Sequence, residues 1–97
     1  MMHTPWGESQ TEHMLAPGIL RVTTASHGGV RISAARRATM PEEYRRIPTF
    51  AGGNWYEEDC DWCIVALSFP EAFAAQVSRD AAAEMFEWLR QNSDRIR

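Results

Sequence analysis

Thr11-Glu12-His13-Met14-Leu15-Ala16-Pro17-Gly18-Ile19-Leu20-Arg21-Val22-Thr23-Thr24 is the stretch that decides the fold. Two runs in the strand manner flank Ala16-Pro17-Gly18. Proline presets φ there and glycine accepts a positive φ, so a turn is predicted. Ile19 to Thr24 is β-branched and alternating. Ser26-His27-Gly28-Gly29 then reads as a second turn, and Val30-Arg31-Ile32 as a short third strand. Together these predict a three-stranded antiparallel meander.

Downstream the pattern changes to helix. Ser33 is placed to cap a short helical turn, Ala34 to Ala38. Pro41 ends it, because the residue before proline avoids the α region. A second short helix is expected over Pro41 to Arg46, capped by Thr39, with a loop from Ile47 to Gly53. Acids crowd the front of Asn54 to Phe69 and apolar groups the back, which predicts a buried helix from about Glu58 to Ser68. Cys60, Cys63, Ile64 and Leu67 fall at helical spacing. A buried central strand over Trp62 to Phe69 is the alternative. Pro70 to Phe73 suggests one further turn. A last helix is expected, capped by Ser78 and ended by Asn92 and Ser93, with Ala81, Ala82, Met85, Phe86 and Leu89 inward. The expected architecture is α+β, a small sheet with helices on one face. Residues 1–97 are expected to form one domain, with residues 1–8 an extended or disordered arm.

The chain has 97 residues. That is room for one small domain and too little for a dinucleotide-binding or barrel enzyme. Its 44% hydrophobic content excludes a disordered tail. All ten basic residues are arginine, and thirteen acids bring the net charge to −3. A net-acidic chain is a poor general nucleic-acid binder. No apolar run reaches membrane-spanning length. Met1 to Trp6 lacks the basic and apolar regions of a signal peptide. With two cysteines, this sets the expectation of a reducing cytoplasm.

Several constellations could carry chemistry. Cys60-Asp61-Trp62-Cys63 is formally C-x-x-C, but Asp59 and Asp61 flank Cys60 and would raise its pKa. A zinc site would need two more ligands, and His3, His13 and His27 lack paired spacing. Buried structural thiols are therefore expected, with no metal and no cofactor. Ser26 beside His27 has no third partner for nucleophilic catalysis. Gly52-Gly53 lacks the surroundings of a phosphate loop. Glu57, Glu58, Asp59 and Asp61 place four acids within five residues, and the remaining chain then sums to +1. The cluster suits a solvated helix entry, or a binding surface for a basic partner. A calcium loop would need spaced Asp/Asn and glycine, which are missing. Trp55 and Tyr56 beside the acids fit binding anchors, or a staple at the helix entry. Arg36-Arg37 and Arg45-Arg46 are two basic pairs suited to solvent, phosphate or acidic contacts.

Thr4-Pro5-Trp6-Gly7, Ala16-Pro17-Gly18-Ile19, Ser26-His27-Gly28-Gly29, Gly53 to Trp62 and Phe69-Pro70 occur in that order. The string resembles a domain of unknown function of bacterial plasmid, phage and integrated-element proteins, over about Thr4 to Phe73. The resemblance implies a mobile-element setting and no established catalytic activity. By analogy of size, charge and context, a small acidic chain of that setting is similar to anti-CRISPR inhibitors.

The functional expectation is a non-enzymatic binding protein, monomer rather than oligomer. It would meet a basic protein surface, in its specific form a type I Cas surveillance complex. Trp55, Tyr56, Glu57, Glu58, Asp59 and Asp61 would carry the contact, with Arg36 and Arg37 secondary. The carboxylates would act as a DNA mimic and block nucleic-acid binding, without touching nucleic acid or membrane. Two alternatives stand beside it: an accessory interaction module of a mobile-element enzyme, and a small enzyme using His27 with a carboxylate or thiol.

Overall fold

The Pro17-Gly18 turn folds β3 (Thr11–Ala16) onto β4 (Ile19–Thr23), with Thr11 opposite Thr23 and Met14 opposite Leu20. Gly18 takes φ +81°, open to glycine and strained for other residues. In this computed structural model, residues 2–49, 51–73 and 79–92 are described. β4 pairs antiparallel with β5 (Gly28–Ile32), which completes the expected meander.

A fourth strand extends it. β6 (Trp55–Glu57) pairs antiparallel with β5, giving the order β3-β4-β5-β6. The meander of three strands is thus corrected to a sheet of four. Trp55 and Tyr56 are strand residues on opposite faces, not a staple at a helix entry. Tyr56 is 1% exposed and joins the core. Its hydroxyl accepts a hydrogen bond from Arg37 Nη1 at 2.9 Å and donates to Met40 Sδ at 3.6 Å.

A second small sheet lies at the N-terminus, where β1 (His3–Thr4) pairs with β2 (Gly7–Glu8). Buried Thr4 closes this hairpin: its Oγ1 donates to the Gly7 carbonyl at 2.6 Å and accepts from the Trp6 N–H at 3.1 Å.

Helices cover one sheet face. α1 (Ala34–Thr39) is capped by Ser33, whose Oγ accepts from the Arg36 N–H at 3.1 Å. α2 (Glu42–Arg45) follows, and its N-cap residue is Pro41 rather than Thr39. The buried helix is α3 (Trp62–Ser68), not a strand, with Cys63, Ile64, Val65 and Ala66 inside. It begins four residues later than the acid-rich entry suggested. A 3-10 turn spans Pro70–Ala72, and α4 spans Arg79–Gln91. Ala82 and Leu89 of α4 are buried, and Met85 and Phe86 half-buried. Ala81 is exposed, which removes it from the expected inner stripe. Ser78 and Ser93, the expected ends of this helix, lie outside the described residues.

The core forms where Ile19, Val30, Ile32 and Tyr56 meet α3. Alternation sends Val22, Gly29 and Glu57 to the other face. Trp6 of the N-terminal hairpin lies against Gly29 there. The architecture is α+β, with helices on one face of the four-stranded sheet and Trp6 on the other.

Candidate functional site

Gly28 and Gly29 are not turn residues but strand residues under pressure. A Cβ on Gly29 would lie 2.5 Å from the Trp6 ring and 2.5 Å from the Tyr56 carbonyl oxygen. A Cβ on Gly28 would meet the Val22 carbonyl at 2.9 Å. Close approach, rather than positive φ, demands glycine at both positions.

The turn before them positions His27. Its N–H donates to Thr24 Oγ1 at 3.0 Å, and the Thr24 N–H and Oγ1 both donate to its carbonyl at 2.7 Å. Its Nε2 stands 3.2 Å from Glu57 Oε2 and 3.8 Å from Asp59 Oδ2. The Trp6 ring centroid is 6.0 Å from the imidazole. Trp6, His27, Glu57, Asp59 and Cys60 line an open cleft of about 340 Å³. The motif segments that carry the family resemblance, near Trp6, His27 and Trp55 to Cys60, therefore meet at one end of the sheet.

Glu57 organises this end. It sits at the end of β6 with a side chain 5% exposed. Its carboxylate accepts the backbone N–H groups of Asp59, Cys60 and Asp61. These bonds hold residues 58–61 as a turn and delay α3 to Trp62. Burial pushes the Glu57 carboxyl up, yet those N–H donors and His27 outweigh it and hold the group below its ordinary value. His27 is moved the opposite way. Its hydrogen bond to Glu57 raises it, against partial desolvation, and the charges of Asp59, Glu57 and Glu58 add to the rise.

The acidic cluster is divided. Tyr56, Glu57 and Asp61 are buried, so they do not face a partner in this fold. Glu58 and Asp59 are exposed, and Trp55 is half-buried. Trp55 meets Trp6 edge-on at 5.7 Å, and Arg31 lies over its ring at 5.7 Å.

The arginine pair expected as secondary contacts works inside the molecule. Arg36 Nε donates to the Pro17 carbonyl at 2.8 Å, and its guanidinium sits 4.9 Å from the Phe69 ring centroid. Arg37 Nη1 ties the Gly53 carbonyl to Tyr56. Both side chains brace loops against the core.

Both cysteines are free, with Cys63 buried and Cys60 partly so. Burial, helped by Asp61, pushes the Cys63 thiol up to about 12. Burial and the charges of Glu57, Asp61 and Asp59 raise Cys60 as well. Neither thiol is poised as a nucleophile at neutral pH.

The contribution of Trp6 to the His27 cleft was missed from sequence, whereas an acid or thiol beside His27 was among the expectations. The available signal was a pair of glycines continuing into a strand, which marks close approach by another group.

A family model described as a domain of unknown function (DUF7007) matches residues 1–96. No curated protein and no solved structure matches the chain. No helix among the described residues is long and apolar enough to cross a membrane.

Proposed function

The chain belongs to the DUF7007 family, and we propose that it is a non-enzymatic binding module that meets a basic protein surface through the edge carrying Trp55, Glu58 and Asp59. One observation carries this reading. Glu58 and Asp59 are exposed at the turn after β6, and Asp59, with a side chain 72% exposed, shares a cleft with the half-buried Trp6, whose ring meets half-buried Trp55 edge-on. Exposed carboxylates next to preorganised aromatic rings give charge complementarity and an apolar anchor together. Glu57 and Asp61 act indirectly, by shaping the turn that presents the two exposed acids.

In its specific form the partner is a type I Cas surveillance complex whose nucleic-acid groove is blocked. That form rests on the analogy of size, charge and context, and because Glu58 and Asp59 are the exposed members of the four-acid cluster, the DNA-mimic surface is smaller than the sequence suggested. A plasmid-interference assay tests it. Protection by the wild type, lost with Glu58→Gln/Asp59→Asn, supports it. Continued plasmid cleavage in the presence of the wild-type protein rejects it.

The 3.2 Å contact of His27 with Glu57 favours a second reading, in which His27 serves a small enzyme as general base. A carboxylate that orients an imidazole at an open cleft is the arrangement such chemistry needs. Turnover of nitrophenyl ester or phosphodiester probes, abolished by His27→Gln, would support it. Equal turnover by wild type and variant would end it.

A further inference from the structure

We propose that His27 Nε2, Glu57 Oε2 and Asp59 Oδ2 form a binding site for a transition-metal dication of the zinc type. The three donors lie within 4.8 Å of one another, although they come from the β4–β5 turn, the end of β6 and the following loop. Zinc binds nitrogen and oxygen at about 2.0–2.2 Å, so neighbouring donors in a tetrahedral shell stand roughly 3.3–3.5 Å apart. The separations of 3.2 and 3.8 Å from His27 to the two carboxylates bracket that value. An ion between these donors replaces the His27–Glu57 hydrogen bond with two metal–ligand bonds and needs only a small swing of Asp59.

The surroundings fit an open site. Glu57 is already oriented by three backbone N–H groups, so its loss of rotamer freedom precedes binding. Asp59 is exposed and free to close on the ion. The adjoining cleft of about 340 Å³ leaves room for a water as the fourth ligand, the pattern of three protein donors plus one exchangeable position. The imidazole donor selects zinc-like ions over calcium and magnesium, which favour all-oxygen shells. Cys60 lines the same cleft, but its thiol is not one of the converging donors.

This inference is independent of the partner reading, because its probe is the metal alone. Chelator-stripped full-length protein is titrated with Zn²⁺ by calorimetry, with Mg²⁺ and Ca²⁺ as comparison ions. The expected result is one saturable Zn²⁺ site, weakened at least ~10-fold by Asp59→Asn and by His27→Gln. Cys60→Ser and His3→Gln/His13→Gln leave it unchanged. Co²⁺ substitution is expected to give ligand-field bands without thiolate charge transfer. Asp59 is exposed, so its variant keeps the test valid if His27→Gln unfolds. No Zn²⁺ binding, binding indifferent to Asp59→Asn, or loss of binding in Cys60→Ser overturns the proposal.

Discussion

The Trp6 ring occupies the space that a side chain at residue 29 would fill, 2.5 Å from the position of a Gly29 Cβ. An N-terminal hairpin and a central strand are thereby locked together. Gly29→Ala must push the ring away and also meets the Tyr56 carbonyl at 2.5 Å, which belongs to the paired strand and cannot yield cheaply. Overpacking of this kind costs about 1–3 kcal/mol. Urea denaturation should show the midpoint falling with an unchanged slope.

Glu57 holds the turn before α3 through three backbone N–H groups. Glu57→Gln keeps the shape but removes the charge that strengthens those bonds. A loss of about 1.5–3 kcal/mol is expected, the range for hydrogen bonds to charged groups. Chemical denaturation measures it. Hydrogen exchange should show the N–H groups of Asp59, Cys60 and Asp61 losing protection first.

The His27–Glu57 pair predicts a pH window. Glu57 is lowered in the fold, so its contribution is full above its ordinary value of 4.5 and is lost as pH falls through the lowered folded value. His27 is raised, so its contribution is full below its ordinary value of 6.5 and is lost as pH rises through the raised folded value. The stability difference between wild type and His27→Gln should therefore be largest between pH 4.5 and 6.5 and shrink on either side. A series of denaturation curves across pH checks this; a difference that grows at alkaline pH has the wrong sign.

The thiols should behave as packing groups. Cys63 is fully buried, with its thiol pushed up to about 12. Iodoacetamide at neutral pH is expected to leave Cys63 unmodified in the native protein and to alkylate it once denaturant unfolds the chain. Mass spectrometry reads both states. Rapid native labelling of Cys63 would contradict the packing described.

Local signals made much of the fold legible. Pro17-Gly18 announced the first hairpin, Ser33 the start of α1, and the apolar run after Asp61 a buried helix. β6 was hidden because three residues, Trp55–Glu57, pair with a strand more than twenty positions earlier. No local periodicity reports such a pairing. The acids were conspicuous in sequence, but their division into buried Glu57 and Asp61 and exposed Glu58 and Asp59 depends on the alternation of that unseen strand and on the turn after it. His27 lies thirty residues from Glu57. Sequence offered the imidazole and the carboxylates as candidates, and only the sheet brings them to one cleft. Arg36 and Arg37 were ambiguous for the same reason: their acceptors Pro17 and Gly53 are distant in the chain.

Binding through the Trp55–Glu58–Asp59 edge is tested most directly by association kinetics with a purified partner, comparing wild type and Glu58→Gln/Asp59→Asn across a salt series. The double variant should associate on the order of 10-fold more slowly at low salt and show a flatter salt dependence, as removal of steering charges requires. Identical association rates for two equally folded proteins would contradict the binding claim.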